Sequence, residues 1–196
     1  KSEIADQNIN KLHKANNGTL WIGTDKGLYF YDINNNLIKS IEAEYILNIK
    51  KPYYVSSIED GSNSILWIGT KQGLIKLDEI NDTKIKIYKN TDSSNSIVSN
   101  IINDITWDNL RSELWISTVD GISKYSSSQN SFSNIQVGPF ANSIIENDVT
   151  DILIAQKSGT LWFKTRNRSG LNSFKATFNE IDGPDTSIMH FEHDPI

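Results

Sequence analysis

Apolar residues along the chain gather in short runs that return at near-constant spacing, separated by polar, glycine-bearing turns. Leu20-Trp21-Ile22-Gly23-Thr24, followed by Gly27-Leu28, comes back as Leu66-Trp67-Ile68-Gly69-Thr70 with Gly73-Leu74. It returns again as Leu114-Trp115-Ile116-Ser117-Thr118 with Gly121-Ile122, and as Leu161-Trp162-Phe163-Lys164-Thr165 with Gly170-Leu171. The tryptophans stand at 21, 67, 115 and 162, intervals of 46, 48 and 47 residues. That period is long for a helix pair and suits about four short strands. Each run is too short for a helix and rich in β-branched and aromatic residues, so it predicts a strand buried on both faces. Alternation puts Leu20, Ile22 and Thr24 on one face and Trp21 and Gly23 on the other. Gly23 and Gly69 are expected to make room for a bulky ring of a neighbour.

An apolar pair three residues apart precedes each run: Ile9 and Leu12, Val55 and Ile58, Ile102 and Ile105, Val149 and Ile152. Turns such as Asn17-Gly18, Asp60-Gly61 and Ser158-Gly159 then predict a hairpin into the tryptophan strand. Gly27, Gly73 and Gly121 fall where the next hairpin needs a left-handed residue, with Gly170 as their counterpart, and lead into a third strand such as Leu74–Leu77. The fourth segments, Lys84–Tyr88 and Ser131–Ile135, alternate polar and apolar residues as a half-wetted edge does. Pro52, Pro139, Pro184 and Pro195 all lie outside the expected strand interiors.

These units predict an all-β chain of about four four-stranded antiparallel β-propeller blades, a partial or truncated propeller. A single array over 1–196 would divide into blades at about 4–50, 51–96, 97–142 and 143–184, with 177–181 as the outer strand of the fourth and 185–196 beginning a further blade. An open meander or solenoid of the same period is the competing architecture. Trp21, Trp67, Trp115 and Trp162, equivalent in all four units, are expected to form the core between blades rather than ligand platforms.

Composition narrows the function. Charged residues make up 22% and hydrophobic ones 37% of 196 residues, with a net charge of -5, which fits a foldable chain and argues against a nucleic-acid backbone as the main partner. Without cysteine there is no disulfide framework, thiol nucleophile or Cys-ligated metal. The sequence holds no apolar run of transmembrane length and no apolar leader, and it opens on Lys1 rather than Met, as a piece excised from a longer protein would.

The motif Ile9–Asp32, with its apolar pair, glycine turn, Leu-Trp-Ile-Gly-Thr and Gly-Leu, resembles the two-component regulator propeller repeat family. Val55–Asp78 matches nearly as well, the third unit departs at Ser117, and the fourth departs at Phe163, Lys164 and a longer loop before Gly170. The resemblance covers roughly residues 4–194. It implies a periplasmic, non-catalytic sensor segment of a hybrid two-component histidine kinase, common in Bacteroidetes and responsive to oligosaccharides. It further implies more blades, a downstream sandwich domain, tethering to the membrane only through other segments, and a homodimer. The alternatives are a propeller enzyme acting on polysaccharide, a lyase or glycoside hydrolase, and a protein-binding scaffold.

Candidate chemistry is sparse. His190-x-x-His193 lacks the spacing of a strand-borne chelate, because residues three apart on a strand face opposite ways. His13 stands alone in the sequence and is expected to be a surface or partly satisfied histidine, and Glu59-Asp60 and Asp78-Glu79 sit at turns. We expect no metal, no cofactor and no catalytic residue. The one local departure is the loop Lys164-Thr165-Arg166-Asn167-Arg168, in which Lys164, Arg166 and Arg168 are candidates for binding carboxylate or sulfate groups.

Overall fold

In a computed structural model of the chain, the residues described are 4–32, 36–41, 53–79, 85–138, 144–167, 171–175 and 192–193. Their strands make four antiparallel sheets, each a meander in chain order. The first holds β1 (Ile9–Lys14), β2 (Leu20–Thr24), β3 (Leu28–Asp32) and β4 (Leu37–Ser40); the second holds β5 (Val55–Asp60), β6 (Ile65–Thr70), β7 (Gly73–Asp78) and β8 (Ile85–Tyr88). In the third are β9 (Ile102–Asp108), β10 (Glu113–Thr118), β11 (Gly121–Ser126) and β12 (Ser131–Ile135), and in the fourth β13 (Val149–Ala155), β14 (Thr160–Thr165), β15 (Asn172–Lys175) and β16 (Glu192–His193). These are propeller blades.

Thr-x-x-Gly closes the second hairpin of the first three blades through one repeated bond. The hydroxyls of Thr24, Thr70 and Thr118 donate to the carbonyls of Gly27, Gly73 and Gly121 at 2.9, 2.7 and 2.8 Å. Gly73 and Gly121 have φ of 126° and 130°. A Cβ there would lie 2.6 Å from the Tyr88 carbonyl and 2.5 Å from that of Ile135, so both conformation and space demand glycine. The fourth blade lacks this spacing, and the buried Thr165 hydroxyl has no partner among the described residues.

Sheets stack face to face with their sequential neighbours, inner strand on inner strand. Trp21 and Leu28 of the first blade pack with Val55, Ile58, Leu66 and Ile68 of the second. Trp67 and Leu74 meet Ile102, Ile105, Leu114 and Ile116, and Trp115 and Ile122 meet Val149, Ile152, Leu161 and Phe163. The alternation read from the sequence is thus realised: Trp and Gly look toward the following sheet, Leu and Ile toward the preceding one.

Three expectations need correction. Trp21, Trp67 and Trp115 are 6%, 1% and 2% exposed, but Trp162 is 36% exposed, because among the described residues no sheet follows the fourth. Gly23 and Gly69 do mark close approach, yet what fills the space is aliphatic: Val55 Cγ1 and Ile102 Cγ2 lie 2.5 and 2.8 Å from where a Cβ would stand. Glu192 and His193 pair with Ser173 and Asn172 as the outermost strand of the fourth sheet, a place assigned from the sequence to 177–181, whereas 185–196 was expected to begin a further blade. Residues 177–181, 187–191, Gly170 and all four prolines lie outside the described residues.

Candidate functional site

Each inner strand carries an irregularity at its second residue. The register skips Asn10, Ser56 and Thr150 in β1, β5 and β13, and Asn103 in β9. A bulge re-aims the side chain it displaces, and here it turns an amide toward the next blade. Asn10 Nδ2 donates to the Val55 carbonyl at 3.2 Å and Asn103 Nδ2 to the Val149 carbonyl at 2.7 Å. Between the second and third blades the residue is Ser56, whose buried hydroxyl finds no partner among the described residues. There the Lys71 ammonium takes over, donating to the Ile102 carbonyl at 3.0 Å and to Asn103 Oδ1 at 2.8 Å. Burial, then the nearby Arg166 charge, lowers the pKa of Lys71.

Two residues before the bulge, a second pattern frames the end of each blade. The residue after the motif threonine donates its amide to the carbonyl of the residue before the inner strand. The pairs are Asp25 to Asn8, Lys71 to Tyr54, Val119 to Ile101 and Arg166 to Asp148, at 3.1, 3.1, 3.3 and 2.9 Å. The backbone is the same four times, but the side chains differ in kind. Asn8 Nδ2 donates to the Asp25 carboxylate at 3.0 Å, the Lys71 ammonium stands 5.8 Å from the Tyr54 ring centroid, and Ile101 sits opposite Val119. Arg166 Nε meets Asp148 Oδ2 at 2.5 Å. Asn103 links the last of these to Lys71, its amide lying 3.3 Å from Asp148 Oδ1. Tyr54, Lys71, Asn103, Asp148 and Arg166 therefore form one connected rim across three blades.

The basic loop is divided by this arrangement. Arg166 is exposed but engaged by Asp148, whose hydrogen bond and charge raise its pKa further. Asn167 is tied to Glu146 through backbone and side chain. Lys164 lies on the exposed face of β14 that also carries Trp162, and Arg168 lies outside the described residues. Of the two candidate cations among the described residues, Lys164 and Arg166, the structure places Arg166 in the rim. Tyr54, Lys71, Asn103 and Asp148 were missed; the available signal was that the positions flanking the repeated motif change chemistry from blade to blade.

Elsewhere the titratable groups join blades. His13 Nε2 lies 3.0 Å from Asp60 Oδ2, which makes it the partly satisfied histidine of the two alternatives. Trp21 Nε1 donates to Glu79 at 3.0 Å. Burial raises the pKa of Glu59, Glu79 and Asp104 and pushes that of Tyr53 up to about 12. No group of three metal-ligating side chains occurs among the described residues.

Residues 3–26 match the family model described as two component regulator propeller. The chain carries a two component regulator propeller repeat. As a propeller-repeat chain it is similar over 96% of its length to the extracellular domain assigned to a hybrid two component system, BT3049, of B. thetaiotaomicron, with TM-score 0.74 and 16% identity. It is similar over 98% to the extracellular domain assigned to a one component system, BT4673, of the same organism, with TM-score 0.70 and 16% identity. It spans 24% and 22% of those two chains. Virginiamycin B lyase from Staphylococcus aureus is also similar, with TM-score 0.61 and 18% identity over 94% of this chain and 54% of that one. At such identities the likeness is one of fold. No curated protein matches in sequence.

Proposed function

We propose that this propeller-repeat chain is a non-catalytic, periplasmic segment of the sensor region of a hybrid two-component histidine kinase, and that it responds to an oligosaccharide. The observation that carries the reading is the combination of the repeat at 3–26 with a fold shared, over nearly the whole chain, with extracellular domains assigned to such signalling systems. Further blades, a sandwich domain and a homodimer would then belong to the rest of that protein. The polar groups between the blades support a relay rather than a reaction centre: buried Ser57 and half-buried Asp104, Asn10 and Asn103 are spent on bonds from blade to blade. A lyase reading has the likeness to virginiamycin B lyase in its favour, but that likeness is of fold, and fold alone does not carry activity.

The test is to reconstitute the full-length natural protein in vesicles and follow transfer of phosphate from ATP while oligosaccharides are supplied to the propeller side. Phosphorylation that changes with one saccharide supports the sensor reading. Turnover of a saccharide or a streptogramin by the protein, with phosphorylation unmoved, overturns it in favour of an enzyme.

A further inference from the structure

We propose that the rim formed by Tyr54, Lys71, Asn103, Asp148 and Arg166 is the binding site of a neutral oligosaccharide; this rests on the sensor reading above and assigns its ligand site. Among the described residues, the bulge and the amide-to-carbonyl bond recur in all four blades at this end, while these side chains do not. A rigid frame with variable side chains on its loops is how a scaffold presents a recognition surface. The frame is the four-fold amide-to-carbonyl bond, which fixes the backbone whatever the side chain.

The chemistry along the rim alternates. Tyr54 is 40% exposed and Ile101 41% exposed, offering an aromatic face and an aliphatic step for the C–H face of a sugar ring. Between and beside them stand Asn103, whose amide hydrogens are used between the blades but whose Oδ1 keeps one lone pair beside the bond from Lys71, and the Asp148–Arg166 pair, whose remaining carboxylate lone pairs and guanidinium N–H groups suit vicinal hydroxyls. Both cations already have partners. Lys71 is held by a carbonyl and an amide oxygen and Arg166 by Asp148, with Glu146 close by on Asn167. An anionic ligand would have to displace Asp148 or lie beside it, so the rim suits uncharged sugars.

The experiment is calorimetric titration of the full-length natural protein with cellohexaose, xylohexaose and mannohexaose, and with hexagalacturonate as the acidic arm. Binding of a neutral hexasaccharide that weakens about tenfold or more in Tyr54→Ala and in Arg166→Ala, is kept in Tyr54→Trp and is unchanged in Lys14→Ala, at the far end of β1, supports the proposal. Thermal melts of the same variants establish that they fold. A neutral saccharide bound equally by parent and rim variants overturns the site and leaves the sensor reading standing. Preference for hexagalacturonate overturns the ligand class. Failure of every saccharide to bind overturns the proposal together with the reading it rests on.

Discussion

The Ser57 hydroxyl donates to Oδ1 of Asp104 at 2.8 Å, joining the second blade to the third, and Oδ2 of the same carboxylate accepts from the Ile152 amide of the fourth at 3.4 Å. One acid thus holds three blades. Its pKa is raised from 3.8, burial outweighing these bonds, and Glu59 and Glu79 are raised from 4.5 for the same reason. A carboxyl whose folded pKa exceeds its unfolded value keeps its proton longer in the folded state, so its contribution to stability falls as pH rises through the window between the two values. Lowering pH from neutrality toward 4.5 and 3.8 should restore the stability these groups withhold. In thermal melts across that window, Asp104→Asn should flatten the pH dependence relative to the parent; an unchanged slope would show that Asp104 does not contribute.

Replacing Trp67 with Ala should cost about 3–5 kcal/mol, as removal of a large buried aromatic does. Trp162, equivalent in sequence but exposed, should cost under about 1 kcal/mol when changed in the same way. Denaturant titration of both variants checks the contrast.

Gly18 and Gly73 both have positive φ, at 89° and 126°, yet a Cβ on Gly18 meets nothing within 4 Å while one on Gly73 meets the Tyr88 carbonyl. Gly18→Ala should carry only the backbone strain of about 1–2 kcal/mol. Gly73→Ala should exceed it, because the outer strand must also move. Equal melting points for the two would argue against the close approach.

Asn103→Ala should cost about 0.5–1.5 kcal/mol for the lost bond to the Val149 carbonyl, and more if that carbonyl is left dry. Ser56→Ala should be neutral or stabilising, since its buried hydroxyl has no partner to lose among the described residues. Chemical denaturation of the two single variants distinguishes an amide that links blades from a hydroxyl that links nothing.

The strands and turns were legible because they depend on local patterns: the alternation in Leu66–Thr70 and the glycine at Gly73 each specify their conformation within a few residues. Burial of Trp162 was not legible, since alternation tells which face a side chain takes and not whether a sheet covers that face. Arg166 read as a free cation because Asp148 lies 18 residues earlier and their meeting depends on how the hairpin is joined. The contacts between blades could have been found with one more step. Asn10 to Val55, Ser57 to Asp104, His13 to Asp60 and Asn109 to Gln156 are separated by 45, 47, 47 and 47 residues. That is one repeat, so aligning the units and asking which polar side chain stands beside which carbonyl would have proposed them.

Stacking in which the described sheets pack on sequential neighbours makes cooperativity a matter of links in a series. A defect at the junction held by Trp67 and Ile102 would part the molecule into two halves, each still holding its own internal junction, whereas a defect at the fourth sheet would only shorten the stack. Amide exchange would accordingly run from the ends inward, fastest where Trp162 meets solvent and slowest around β5 and β9, each of which is stacked between two other inner strands.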